Sequence, residues 1–206
     1  YTQENGGIYT PGTFITTYET CIALVTFQAA NKDGSYDNII KPATKFIRGE
    51  QWEEDRGKQK SDLFYGGAGY GGKTRPDVSN TAFMVEALKA GGAQADDEAI
   101  QRALVFISRC QNLESPHNTT EFAAKVNDGG FFYTHSTGGR EGGERLTENG
   151  GLRSYGSMTY SGLKSMIYAG LSKDDPRVKA AVEWVRKNYD VKNNPDVKLG
   201  VVNGAI

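Results

Sequence analysis

The sequence contains few of the residues on which metal and cofactor chemistry usually depends. Among 206 residues there are two cysteines, Cys21 and Cys110, and two histidines, His117 and His135. No Cys-x-x-Cys or similar ligand spacing is present, so a closed zinc site is not predicted. Both cysteines lie in predicted helices and are expected to be buried, reduced thiols. Both histidines lie in polar segments and are expected to be solvated. The sequence predicts no metal and no cofactor.

Charge and hydropathy exclude further classes of protein. The 24 Lys and Arg residues are balanced by 25 Asp and Glu residues, so no net charge favours nucleic acid or an anionic membrane surface. No apolar run approaches the roughly 20 residues that a membrane-spanning helix needs. The polar start of the chain does not have the charged-then-apolar order of a signal peptide. We therefore expect a soluble chain with no membrane span and no nucleic-acid partner, and the compartment is not indicated.

Glycine, in contrast, is abundant and clustered. Three segments combine glycines with an aromatic residue and precede a predicted helix: residues 5–9, 65–70 and 128–133. Three similar turns indicate an internal repeat. The spacing of other residues supports it, because one constant difference in residue number relates Thr81 to Thr159 and Asp97 to Asp175. Between the first and second repeats, a second constant difference in residue number relates the first helices, as in Thr20 and Thr81. This difference changes by one residue in the loop that follows the first helix.

Each repeat is predicted to contain two helices. The first helices, at about 15–30, 78–91 and 156–170, are apolar on several sides, so we expect them to form an inner layer. The second helices, at about 37–50, 97–111 and 175–189, are amphipathic and should form an outer layer. Residues 52–64 and 134–151 are charged or rich in glycine, and we expect both to be exposed loops on one rim.

One segment points to a family. The run Asp77-Val78-Ser79-Asn80-Thr81-Ala82 resembles the start of an inner helix in class II terpenoid cyclases such as squalene-hopene cyclase. There the pattern is Asp-x-Asp-Asp-Thr-Ala, and its central acid protonates the isoprenoid. Here Ser79 replaces that acid and Asn80 replaces the carboxylate beside it. A hydroxyl and an amide are too weakly acidic to protonate an alkene.

The repeats extend this resemblance to residues 3–190. They are similar to repeats of terpenoid cyclases and protein prenyltransferase β-subunits, and residues 150–160 resemble bacterial prenyltransferase/squalene-oxidase repeat proteins. The resemblance implies an all-α fold, an α/α toroid in which inner helices ring a cavity. The chain would be a single domain over 1–206 and a partial ring of three αα-hairpin repeats, at about 3–51, 52–111 and 112–190. Residues 191–206 would begin a further repeat or form a tail, and the domain would belong to a longer chain or an assembly.

Two carboxylates are the candidate catalytic residues. Asp77 is the one carboxylate retained from the acid motif, and Glu19 matches Asn80 when Thr20 is aligned with Thr81. An Asp directly before a helix is usually an N-cap, so a structural role is favoured for Asp77. The candidate ligand-binding residues lie near the predicted cavity mouth, where aromatic faces could hold an isoprenoid; they are Tyr18, Tyr70, Asn80, Phe83, Tyr133, Tyr155 and Tyr160. Packing in the core and anchoring of turns is the alternative role for each aromatic residue.

Three functions follow as hypotheses. The leading one is a repeat domain without the class II acid that binds an apolar, isoprenoid-like small molecule or a protein partner. The second is an enzyme, related to terpene cyclases, prenyltransferases or sugar-active toroids, whose catalytic residues are completed by a missing half-ring or a partner. The third is a structural scaffold. Self-association, or association with the missing half-ring, is expected because a half-ring alone would expose apolar helix faces.

Overall fold

The computed structural model of the protein describes residues 1–72, 74–136 and 146–195, and over these residues it is all-helical. Its α-helices are α1 (Thr16–Ala30), α2 (Asp37–Gly49), α3 (Val78–Ala90), α4 (Glu98–Arg109), α5 (Ala123–Val126), α6 (Gly156–Tyr168) and α7 (Pro176–Lys187), with a short 3-10 helix at Glu54–Arg56. The predicted all-α class is confirmed. All of the predicted helices are present, with bounds close to the expected ones. No helix in the described part of the chain is long and apolar enough to cross a membrane.

Three of the helices are preceded by a capping aspartate. The side chains of Asp77, Asp97 and Asp175 each accept a hydrogen bond from a backbone N–H two or three residues later, at 2.8, 3.0 and 2.9 Å. These bonds satisfy donors that have no partner inside the helix. Pro176 follows in the first turn of α7, where its missing N–H costs nothing. Local sequence therefore determines the starts of α3, α4 and α7.

The helices pack as a row of first helices with a second helix beside each. Helix α3 lies between α1 and α6, and the pairs α1 with α2, α3 with α4, and α6 with α7 are in contact. Two clusters of buried side chains fill the space between them. One contains Leu24, Val85 and Ile100, and the other contains Phe106 and Phe131. This packing explains why the first helices are apolar on several sides.

The three glycine-rich turns are held by the same bonds. A threonine of each first helix accepts a hydrogen bond from a backbone N–H of the turn, at 3.0, 3.0 and 3.1 Å, and its hydroxyl donates to the carbonyl four residues earlier. The threonine and turn residues are Thr20 with Ile8, Thr81 with Ala68, and Thr159 with Phe131. These are the threonines that the repeat spacing relates to one another.

Glycine is required in these turns for two reasons. Gly6, Gly66 and Gly129 have φ values of +88°, +84° and +84°, in the left-handed region that favours glycine. A β-carbon at any of them would also lie within 3.0 Å of a backbone carbonyl in the second helix of the same pair. Only glycine at these positions allows the turns to pack this closely against the second helices.

Consecutive helix pairs are joined by repeated bonds. The backbone N–H at the start of a first helix donates to a carbonyl of a later segment: Thr17 to Tyr70 (2.9 Å), Val78 to Tyr133 (2.9 Å) and Gly156 to Pro195 (3.0 Å). At the ends of the second helices, the amides of Gln51 and Gln111 each donate to two backbone carbonyls, at 2.8 to 2.9 Å. One carbonyl belongs to the glycine turn that follows, and the other to the start of the next second helix.

Two further expectations concern cysteines and loops. Cys21 and Cys110 are free and buried, as predicted. Residues 52–64 contain the short 3-10 helix and several exposed residues, but Phe64 at their end is half-buried against other aromatic rings. In the predicted loop at 134–151, Thr134 and His135 are buried, whereas residues 137–145 lie outside the described part. Of the predicted further repeat or tail, residues 196–206 also lie outside it.

Candidate functional site

An aromatic surface lies beside the N-terminal halves of α1 and α3. It consists of Phe14, Tyr18, Tyr70 and Phe83. The ring centroids of Tyr18 and Phe83 are 5.2 Å apart, those of Tyr18 and Tyr70 are 6.0 Å apart, and Phe14 lies 6.5 Å from Tyr70. Phe14 is 74% exposed and the other three are half-buried. The structure therefore brings three predicted ligand-binding residues together on one face that solvent can reach.

Local structure positions these rings. Tyr18 and Phe83 project from the neighbouring helices α1 and α3. The carbonyl of Tyr70 accepts from the backbone N–H groups of Thr17 (2.9 Å) and Tyr18 (3.3 Å), which fixes the turn over the start of α1. A β-carbon at Gly71 would lie 2.5 Å from the carbonyl oxygen of Phe14. This close backbone approach brings Phe14 to Tyr70.

Asp77 caps α3, as expected. It is 2% exposed. Its Oδ1 accepts from the backbone N–H of Asn80 at 2.8 Å, and its Oδ2 accepts from Asn80 Nδ2 at 2.7 Å. Asn80 is buried as well, and its Oδ1 accepts no hydrogen bond from the part of the chain that the structure describes. Both Asp77 oxygens thus act as acceptors, which suits a helix cap better than a proton donor.

The other carboxylates of the first helices also have structural partners. Glu19 is half-buried, and its Oε2 accepts from the backbone N–H of Thr10 at 2.6 Å. This bond ties α1 to the segment before it. Glu86 forms an ion pair with Lys164 on α6 at 2.7 Å. Each carboxylate therefore joins its helix to a neighbouring segment or helix.

The remaining predicted aromatics occupy separate positions. The carbonyl of Tyr133 accepts from the N–H of Val78 at the start of α3. Tyr155 is buried directly before α6, and its N–H donates to the carbonyl of Phe131 at 3.2 Å. Tyr160 is 40% exposed on α6. The first two residues thus hold turns and helix starts through their backbones, and Tyr160 belongs to an exposed helix face.

The interpretation of His135 as a solvated loop histidine is wrong. Its side chain is 6% exposed and lies in a cage of four phenylalanine rings, whose centroids are 5.2 to 6.0 Å from that of the imidazole; the rings are Phe64, Phe106, Phe122 and Phe132. Burial lowers the pKa of His135 to about 4. The imidazole is therefore neutral near pH 7, and its Nε2 lies 3.1 Å from the carbonyl of Arg109, to which it can donate. The residues that flank His135, Thr134 and Ser136, are polar and gave no signal of this burial.

The histidine cage also contains a thiol. The Sγ of Cys110 lies 3.8 Å from Nδ1 of His135. Burial raises the pKa of Cys110 well above its usual value, and burial likewise raises the pKa of Cys21. A neutral thiol beside a neutral imidazole is not the activated pair of a cysteine nucleophile. Among the described residues, no group of three or more His, Cys, Asp and Glu side chains could hold a metal ion.

A basic cavity of about 550 Å³ is lined by Trp52, Arg56, Lys58 and Gly72. The Lys58 ammonium lies 4.6 Å from the centre of the Trp52 ring. Arg56 pairs with Glu50 at 2.9 Å and donates to the carbonyl of Gly72. The charge of Arg56 is thus already neutralised, and the contacts join the 52–64 segment to the turn that carries Tyr70.

The chain was compared with protein families, curated proteins and solved structures, and none of the three comparisons finds a match. The resemblance to terpenoid cyclases therefore stays a prediction from the motif and the repeats. A function is inferred from the geometry of the aromatic surface and from the structural roles of the carboxylates.

Proposed function

We propose that the chain is a partial α/α toroid of terpenoid cyclase and prenyltransferase type that binds an apolar, isoprenoid-like ligand on its aromatic surface without protonating it. The repeated threonine and glycine contacts support the toroid part of the proposal. So does the arrangement of α1, α3 and α6 in one row, each with its own second helix. Three hairpin repeats built alike are what a partial ring requires.

The open aromatic surface carries the binding part of the proposal. Aromatic rings expose a large apolar area at low conformational cost, and Phe14 is 74% exposed. A ligand that buries about 300 Å² of combined apolar area gains roughly 7 kcal/mol. Association costs at least about 4 kcal/mol. The net gain of about 3 kcal/mol corresponds to millimolar affinity, so the aromatic surface alone should bind weakly.

The same residues argue against protonation by this chain. Ser79 and Asn80 stand at the two acid positions of the cyclase motif, and Asp77 is engaged with Asn80 through both oxygens. Glu19 is engaged with the backbone of Thr10. We therefore expect no cyclisation of an isoprenoid by the isolated chain.

Ligand-observed NMR suits affinities of this order. Farnesol is the probe, and saturation transfer from the protein is measured for the parent chain and for Tyr18→Ala and Phe83→Ala. We expect both variants to lose most of the signal. Tyr36→Ala is the matched control, because Tyr36 is 36% exposed and belongs to another aromatic pair, with the half-buried Phe27 at 5.2 Å. Equal transfer in all four proteins, or transfer to cellobiose in place of farnesol, would contradict the proposal.

A scaffold function is the second candidate. It is favoured by the apolar side chains exposed on α6, Tyr160 and Ile167, the second of which is 55% exposed. Neither is part of the aromatic surface as defined by its ring contacts. A ligand site and a docking edge can therefore be tested separately.

A further inference from the structure

One face of the last first helix of the row is less buried than the equivalent face of the two before it. The repeat spacing places Leu24 of α1, Val85 of α3 and Leu163 of α6 at one position; the first two side chains are buried and the third is only half-buried. Helices α1 and α3 are each followed by another first helix, whereas no such helix follows α6 in the described part of the chain. The exposed side of α6 is therefore the side that a following helix would cover.

Two further positions show that the exposed side of α6 corresponds to the side of α1 that faces α3. The amide of Gln28 on α1 reaches the end of α3, where a β-carbon on Gly91 would lie 2.5 Å from it. The repeat spacing places Ile167 of α6 at the equivalent position, and it is 55% exposed. In the same way, Tyr160 is exposed at the position of the buried Cys21. Tyr160, Leu163 and Ile167 form an apolar stripe, here called the tail edge, at helical spacing.

The opposite end of the row has a complementary edge. Ala87 of α3 and Ser165 of α6 are buried, whereas Thr26, at the equivalent position of α1, is exposed. Ile22 is also exposed, at the position of Phe83. Ile22 and Thr26 form the head edge, which is the side of α1 that a preceding helix would cover. An edge of small and branched side chains can pack against the larger side chains of the tail edge.

The second helices add complementary charge. Within the chain, Arg48 of α2 donates to both carboxylate oxygens of Asp97, at 3.0 and 2.7 Å. The repeat spacing places Arg186 at the position of Arg48, and it is exposed with no ion pair among the described residues. It places Asp37 at the position of Asp97, where its half-exposed side chain pairs with the exposed Lys41 at 3.3 Å and accepts from Asn31 Nδ2 at 2.8 Å. The basic partner is thus open at the tail edge, and the acidic partner at the head edge has only a solvent-exposed ion pair to exchange for it.

We propose that a second copy of the chain docks head to tail, with its head edge on the tail edge and Asp37 of the docking copy paired with Arg186. Helix α1 of the docking copy then packs on α6 of the first copy. This contact repeats the packing of α1 on α3 and of α3 on α6 within one chain. This inference does not depend on ligand binding, since it rests on other residues than the aromatic surface.

One contact restricts how closely the docking copy follows the internal register. Pro195 already accepts from the N–H of Gly156, as Tyr70 and Tyr133 accept at the two preceding helices. Asn194 binds Ser157 beside it, at 2.8 and 3.0 Å. In an exact repeat, Tyr9 of the docking copy, which the repeat spacing places at the position of Tyr70, would occupy this place, so the docking copy cannot follow the internal register there. Contact with α6 is expected from Tyr160 onward.

Sedimentation velocity over a range of concentrations tests the proposal. We expect the average mass of the full chain to rise with concentration. Arg186→Glu and Asp37→Arg should each weaken association by roughly tenfold, because they replace an attractive pair with like charges. A chain that carries both changes restores opposite charges at each contact and should associate like the parent. A monomer at all concentrations, or a double variant no stronger than the singles, overturns the proposal.

The apolar part of the interface is tested in the same experiment. Ile167→Asp places a charge in the tail edge and should abolish association. Leu63→Asp is the matched control, since Leu63 is a similarly exposed apolar residue, 41% exposed, that lies outside both edges. Circular dichroism establishes that each variant is folded. If the two Asp variants associate equally, the tail edge is not the interface.

Discussion

The buried histidine makes the stability of the protein sensitive to mild acid. His135 has a pKa of about 4 in the folded protein, lowered by burial from 6.5. Between these values the unfolded chain binds a proton that the folded chain does not. The free energy of unfolding therefore falls as the pH falls from 6.5 to 4, and it is constant with respect to this group outside that range.

The expected decrease in the free energy of unfolding follows from the difference between the two pKa values. A fall in pKa from 6.5 to about 4 corresponds to about 3 kcal/mol, which is a large part of the stability of a typical domain. The side chain is almost fully buried, so solvent screening reduces this figure little. Carboxylates contribute at lower pH, because hydrogen bonds to Arg48 and Arg177 lower the pKa values of Asp97 and Asp175 from 3.8. The interval from pH 6.5 to 4.5 therefore reports mainly on His135.

Urea denaturation at pH 7.0, 6.0, 5.0 and 4.5 measures the effect. The parent chain should lose about 2 to 3 kcal/mol over this range. His135→Gln keeps a neutral side chain that can donate to the Arg109 carbonyl, and it should lose much less. His117→Gln changes an exposed histidine and should follow the parent. A His135→Gln chain whose stability falls in parallel with the parent would refute the assignment of the loss to this residue.

Three further outcomes are expected from thermal or urea denaturation at pH 7. Asp77→Ala should destabilise the chain by about 1 to 2 kcal/mol, because the helix cap is lost; no loss would contradict the cap role. Gly66→Ala should destabilise the chain more than Gly12→Ala, because both glycines have positive φ but a β-carbon at position 66 also meets a backbone carbonyl; equal losses would show that the close approach is unimportant. Gln111→Ala should cost about 2 kcal/mol, since two buried carbonyls lose their donor; a cost near zero would show that they find other partners.

The helices could be predicted because their signals are local. Capping aspartates, Pro176 and apolar periodicity all act within a few residues, so the predicted and observed bounds agree closely. The equivalence of Thr20, Thr81 and Thr159 could also be predicted from the sequence, because equivalent contacts require the same residue at equivalent positions. Each of the three makes the same pair of bonds in the structure.

The candidate site could be predicted in part. Aromatic residues near the starts of the first helices were expected to bind a ligand, but which of them meet depends on turn geometry. Tyr70 reaches Tyr18 because its turn lies over the start of α1, while Tyr133 and Tyr155 serve turns elsewhere. Phe14 was not predicted, although an aromatic residue two positions before α1 was visible in the sequence. The close backbone approach at Gly71 explains its position.

The environment of His135 could not be derived from its own neighbourhood. The cage combines Phe64 and Phe106 from the predicted second repeat with Phe122 and Phe132 from the predicted third. Its polar flanking residues suggested solvent exposure, whereas contacts distant in sequence determine its burial. Periodicity carries no information about which loops converge.

The glutamines at the ends of the second helices have a consequence for how the chain unfolds. Each of Gln51 and Gln111 bonds to the glycine turn that follows it and to the start of the next second helix. A helix pair cannot open without breaking buried bonds of its neighbour, so adjacent pairs are coupled. The array should then melt in one cooperative transition. Amide hydrogen exchange in α2, α4 and α7 should converge on a single opening free energy, instead of decreasing toward the ends of the row.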